Sequence, residues 1–239
     1  PTVPGGYNPV LVKYGDFLAQ YAAEERLTVA DLNGPVVRML EKANAANATD
    51  APKIIPDRVH PGPAGHLIMA GALLKAWNAP ALVSAVTIDS AIANHVKAEG
   101  AEVKNVKLGS MSQALFAGAS WTQIDSALPM PINFDDPVVA LAVRSSDFMD
   151  TLNRQTLKVA RLKPGHYALR IDGQQVGVFD EKAFTAGLDL AALPTPMAQQ
   201  AAEVHQLTLK RTGIHNLRWR SLEVPLAGDG LTSNAAAMN

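Results

Sequence analysis

An aspartate and a histidine three positions apart open the stretch Asp57-Arg58-Val59-His60-Pro61-Gly62-Pro63-Ala64-Gly65-His66. At that spacing one short turn can hold a carboxylate beside an imidazole. A histidine acting as general base needs such a partner, which fixes its tautomer and stabilises the imidazolium formed in the reaction. Asp57 and His60 are thus two of the three members of a hydrolytic triad. The spacing also admits a plainer reading, in which Asp57 caps a turn and His60 is a surface residue.

The third member is not obvious. Gly109-Ser110-Met111-Ser112-Gln113 is the nearest approach to a nucleophile elbow, but it lacks the second glycine that lets such a turn pack, so Ser112 reads better as a turn or cap serine. Asp57, His60 and His66 make a chemically reasonable zinc set, although His66 lies on the helix that follows and would have to point back. His166, His205 and His215 stand alone. Asp135-Asp136 and Asp180-Glu181 sit in turn contexts whose spacing suggests no glycosidase pair. Trp121, Tyr167, Phe179 and Trp219 could line a groove, a role to be weighed against ordinary core packing.

The elements that must position these residues follow from hydrophobic periodicity. Residues 9–26 read as an amphipathic helix through Val10, Leu11, Tyr14, Phe17, Leu18 and Tyr21. The run Leu27-Thr28-Val29-Ala30 before Asp31 reads as a buried parallel strand. Pro35 starts a second helix, and residues 44–56 form a polar loop. After the Asp57/His60 turn, residues 64–77 form a strongly apolar helix. In open α/β sheets, active residues sit in loops beyond the carboxyl ends of strands, where this pair would stand.

Beyond Pro80 the texture changes. Residues 83–88, 103–108 and 121–124 read as strands, and 138–143 is a further apolar run. Residues 157–162 and 166–171 look like antiparallel strands joined by Lys163-Pro164-Gly165. Asp172-Gly173 marks a hairpin into 176–179. Thr195 caps a last helix over 196–205, and the tail from Gly228 is expected to fray.

Composition narrows the classes. Of 239 residues, 48% are hydrophobic and 18% charged, so a sizeable core can be buried. A net charge of -1 without a dense Lys/Arg face argues against nucleic-acid binding. The absence of cysteine excludes a disulfide scaffold and a zinc ribbon. No apolar run approaches the roughly 18 residues of a membrane span.

Residues 57–66 resemble the C-terminal signature of the SGNH (GDSL-type) hydrolases, an Asp-x-x-His-Pro followed by a small residue, a Gly-His pair and a helix. The helix over 9–26 and the run Thr28-Val29-Ala30-Asp31-Leu32 look like the last helix and strand before that signature, so the likeness covers roughly residues 7–77. It implies that Asp57 and His60 are the triad acid and base of a carboxylic ester hydrolase or acetylesterase that needs no metal or organic cofactor. It also implies a substrate that is a small-molecule or carbohydrate ester. Export to the periplasm or medium is implied as well.

The family's Gly-Asp-Ser nucleophile motif and its oxyanion Gly and Asn have no counterpart here. Gly15-Asp16-Phe17 carries no serine and lies in a helical pattern, and Ser112 follows His60, the reverse of the family order. The chain also opens on Pro1 rather than Met. The expectation is an α/β fold. Residues 1–80 would be the C-terminal portion of a three-layer α/β/α, flavodoxin-like SGNH domain, 81–228 a β-rich accessory region, and 229–239 a flexible tail. The nucleophile would lie on a missing N-terminal segment of the same product. The competing expectation is a non-catalytic carbohydrate-binding module or degenerate hydrolase that kept the turn as scaffold.

Overall fold

The computed structural model describes residues 6–224 of the chain. It has an α/β fold of helices and a mixed sheet. Three helices come first: α1 (Asn8–Glu25), α2 (Asn33–Ala46) and α3 (Pro63–Ala76). Then follow strands β1 (Leu82–Asp89), β2 (Val96–Glu99), β3 (Ala101–Leu108), β4 (Met111–Ser112), β5 (Leu115–Phe116) and β6 (Ala119–Asp125). Two helices, α4 (Pro137–Arg144) and α5 (Phe148–Leu152), lead to β7 (Arg154–Ala160), β8 (His166–Ile171) and β9 (Gln174–Asp180). Helix α6 (Glu181–Ala186), strand β10 (Leu188–Asp189) and the long helix α7 (Pro196–Arg218) complete the order.

The central sheet runs β10-β7-β1-β2, with β1 parallel to β7 and the outer pairings antiparallel. Two-stranded ribbons β3–β6 and β8–β9 flank it. The β8–β9 hairpin turns at Asp172 (φ 50°) and Gly173 (φ 78°), the two left-handed positions that Asp-Gly supplies at low cost.

Two apolar clusters hold the chain together. One gathers α2, α3, α4 and α5 around Met39, Ile54, Ile68 and Phe148. Residues from both sides of position 80 share it. The other gathers β1, β7 and the β8–β9 ribbon around Ile88, Phe116, Leu157 and Phe184.

Several expectations are corrected. Residues 27–32 are not a strand: among the described residues no neighbouring strand offers them ladder hydrogen bonds, and Leu27 and Val29 are exposed. Helix α1 forms where its periodicity predicts, yet only Ala22 is buried, and Tyr14, Phe17, Leu18 and Tyr21 face solvent. Strand β7 does not pair with β8; it takes β1 and β10 as neighbours, because Leu157 and Val159 are buried in the central sheet. The apolar run over 138–143 is helical, capped by Asp136, whose carboxylate accepts the Val138 and Val139 N–H groups. Helix α7 runs thirteen residues past the expected end at His205, to Arg218. The tail expected to fray from Gly228 lies outside the described residues.

Candidate active site: the Asp57/His60 turn

The turn is built from its flanks inward. Asn47 accepts the Thr49 and Asp50 N–H groups and so bends the chain after α2. Ile54, fully buried in the helical cluster, pins the segment. Its carbonyl accepts the Gly62 N–H at 2.9 Å, which closes the loop onto the start of α3. Pro63 stands at the first helical position, where its missing N–H costs nothing. Gly65 is buried, and a Cβ there would lie 2.7 Å from Cβ of Pro61. The Pro-Gly-Pro-Ala-Gly run therefore lets the turn lie against the helix.

Within the turn, Asp57 Oδ1 accepts the Val59 N–H at 2.9 Å and the His60 N–H at 2.7 Å. Arg58 between them takes a left-handed conformation, φ 63°, at a cost of about 1 kcal/mol for a residue with a Cβ. The second oxygen, Oδ2, lies 2.7 Å from His60 Nδ1. These contacts hold the Asp57 carboxyl well below the usual carboxylate range. The His60 backbone N–H contributes most, then the His60 ring, then the Val59 N–H.

An ionised carboxylate can only accept, so His60 Nδ1 carries a proton, and in the neutral ring Nε2 is the nitrogen with the free lone pair. That is the tautomer a general base requires. The His60 side chain is 84% exposed and that of Asp57 55%, so nothing among the described residues covers Nε2. Asp57 thus organises the turn and pairs with the imidazole at the same time, and His60 stands at the surface.

The other sequence candidates are not brought here. No serine hydroxyl among the described residues is hydrogen-bonded to His60. Ser112 lies exposed in β4, paired with Leu115 of β5. His66 is exposed on α3, and no three potential metal ligands among the described residues cluster with Asp57 and His60. Phe179 packs edge-on against Phe184, 5.9 Å between ring centroids, and Trp219 follows the end of α7. Two contributors to the site went unread in the sequence: Ile54 as the anchor of the loop and Arg58 as its left-handed pivot. The signal for the first was an Ile-Ile pair inside an otherwise polar loop. Nothing in the sequence marks the second.

No protein-family model matches the chain, and no curated protein matches it. One solved structure does, a gut microbial diltiazem-metabolizing enzyme, with a TM-score of 0.68 and 28% sequence identity over 83% of this chain. The chain spans 45% of the length of that structure, so it is similar to less than half of the enzyme.

Proposed function

We propose that this chain carries the acid–base pair of a serine ester hydrolase of the SGNH type, the nucleophile being supplied by polypeptide outside these 239 residues. The observation that carries the reading is the 2.7 Å pair between His60 Nδ1 and Asp57 Oδ2, with Nε2 left open. The similarity to a longer drug-metabolizing enzyme supports it. So do the apolar side of α1, left exposed by the described residues, and residues 27–30, which pair with no strand among the described residues; both suit a neighbouring sheet contributed by another segment.

In this mechanism the serine oxygen attacks the ester carbonyl as His60 Nε2 takes its proton. Backbone and side-chain donors on the other segment hold the oxyanion. The tetrahedral intermediate collapses, and the departing alcohol takes the proton back from Nε2. Water then attacks the acyl-serine with His60 again as base, releasing the carboxylic acid and restoring the serine. Asp57 stays ionised throughout and holds the ring. The substrate class is a carboxylic ester, including O-acetyl groups on sugars, and the site of action is outside the cytoplasm.

Turnover of p-nitrophenyl acetate and an acetylated sugar by the native product tests the reading. His60→Ala should lower kcat by about 10³-fold or more and Asp57→Asn by about 10²–10⁴-fold, with thermal melting used to establish that each variant is folded. Full activity in folded His60→Ala contradicts the assignment. The second reading, a non-catalytic module, draws on the exposure of His60 and on the lack, among the described residues, of a serine hydroxyl hydrogen-bonded to it. Absence of ester turnover in the native product would favour that reading.

A further inference from the structure

A cleft of about 880 Å³ opens between the β3–β6 and β8–β9 ribbons, with Leu157 and Val159 of β7 and Phe184 in its lining. None of the residues from 57 to 66 lines it. Trp121, Gln123 and Asp125 alternate along β6 and so present one face to this space. They are joined in a directional chain. The Trp121 indole N–H donates to Gln123 Oε1 at 3.0 Å, and Gln123 Nε2 donates to Asp125 Oδ1 at 2.8 Å.

The chain ends on a buried residue. Gln155 is fully buried and shares its face of β7 with Leu157 and Val159. Its Nε2 donates to Asp125 Oδ2 at 3.1 Å. A carboxylate cannot donate, so the Gln155 amide must turn its N–H to Asp125. That leaves Gln155 Oε1 buried and without a hydrogen-bond partner among the described residues. Gln155 lies behind the cleft wall and holds Asp125 in place, and the unspent capacity at this end of the cleft, in the remaining lone pairs of Asp125, is all acceptor.

We propose that this cleft is a second binding site, for a neutral sugar ring. Hydroxyl groups supply further donors to the Asp125 carboxylate, and the Trp121 indole offers a flat apolar surface to the C–H face of a pyranose. Tyr167 adds a ring edge whose hydroxyl is already committed to the Lys163 carbonyl at 2.8 Å. Exposed Arg170 and Gln200 stand at the rim. Arg170 disfavours a cationic ligand at the same acceptors, whereas a hydroxyl can donate to Asp125 and accept from Arg170. Few, convergent polar groups over an apolar floor are the usual make-up of a small-ligand site. The inference does not depend on the Asp57/His60 reading.

The test is calorimetric titration of the full chain with unacylated xylo-, manno-, gluco- and galacto-tetraoses, so that ester hydrolysis does not enter. At least one should bind saturably at millimolar concentration and alter tryptophan fluorescence. Trp121→Ala and Asp125→Asn should each weaken binding by about tenfold or more, the second by replacing an acceptor oxygen with a donor. Thermal melting separates loss of binding from loss of fold, and Arg170→Ala, at the exposed rim, gives a variant with intact packing that should bind more weakly. No binding by any tetraose to the folded chain overturns the proposal. Binding that survives Trp121→Ala undiminished overturns it too. Tighter binding of tetramethylammonium in Arg170→Ala, without sugar binding, would identify a cation site instead.

Discussion

Asp57 does two jobs with two oxygens. Oδ1 takes the Val59 and His60 backbone N–H groups, and Oδ2 takes the imidazole. Each donor favours the ionised carboxyl, so its folded pKa lies below the unfolded one. A depressed carboxyl contributes stability that is fully present above the ordinary carboxylate value and is lost as pH falls below it. Asp189 has the opposite sign: burial pushes its carboxyl up, so its contribution to stability is greatest in acid and declines as pH rises through its folded value. Because the largest cause at Asp57 is a backbone N–H, His60→Ala should leave much of the depression in place. Carboxyl carbon NMR through an acid titration checks this. A His60→Ala protein in which Asp57 titrates at the ordinary value of about 3.9 would show that the imidazole alone sets the charge.

At the scale of elements, the position of the turn depends on how closely it lies against α3. Gly65→Ala puts a methyl group 2.7 Å from Cβ of Pro61, two atoms held by backbone with little room to give. The expected loss is about 1–3 kcal/mol of stability, with displacement of the His60 resonances. Gly213 on α7 is the control: a Cβ there meets nothing within 4 Å. Gly213→Ala should stabilise by up to about 1 kcal/mol through helix propensity. Denaturant midpoints measure both, and equal midpoints for Gly65→Ala and the parent would contradict the close approach. Elements fixed by local chemistry were legible in the sequence. Helices α2 and α3, the Asp172-Gly173 hairpin and the Thr195 cap, whose hydroxyl accepts the Ala198 N–H, all form where the residues indicate. Elements whose state depends on partners were not. Residues 27–30 carry a strand pattern without a neighbouring strand among the described residues, and the apolar run 157–162 points to β8 although its partners are β1 and β10, because such a run does not name its partner.

Across the whole molecule, the α/β class and the Asp57/His60 pair were readable, since both rest on short-range spacing. The cleft beside Trp121 was only half readable. Trp121 and Tyr167 line it, but the buried Gln155 that holds Asp125 comes from β7, thirty positions away, a distance across which sequence carries no pairing signal. The same limit applies to the surface. The apolar side of α1 reads as core in sequence, yet Tyr14, Phe17 and Leu18 are exposed among the described residues. An apolar face left unfilled by the described residues, an imidazole with an open Nε2 and a similar solved structure of which the match covers 45% belong together in the proposed account. Intact-mass analysis of the native product after treatment with a fluorophosphonate probe tests it most directly. The account predicts one adduct, on a serine outside these 239 residues, that disappears in His60→Ala. An adduct on Ser112, an adduct indifferent to His60→Ala, or no adduct on the folded native product would contradict it.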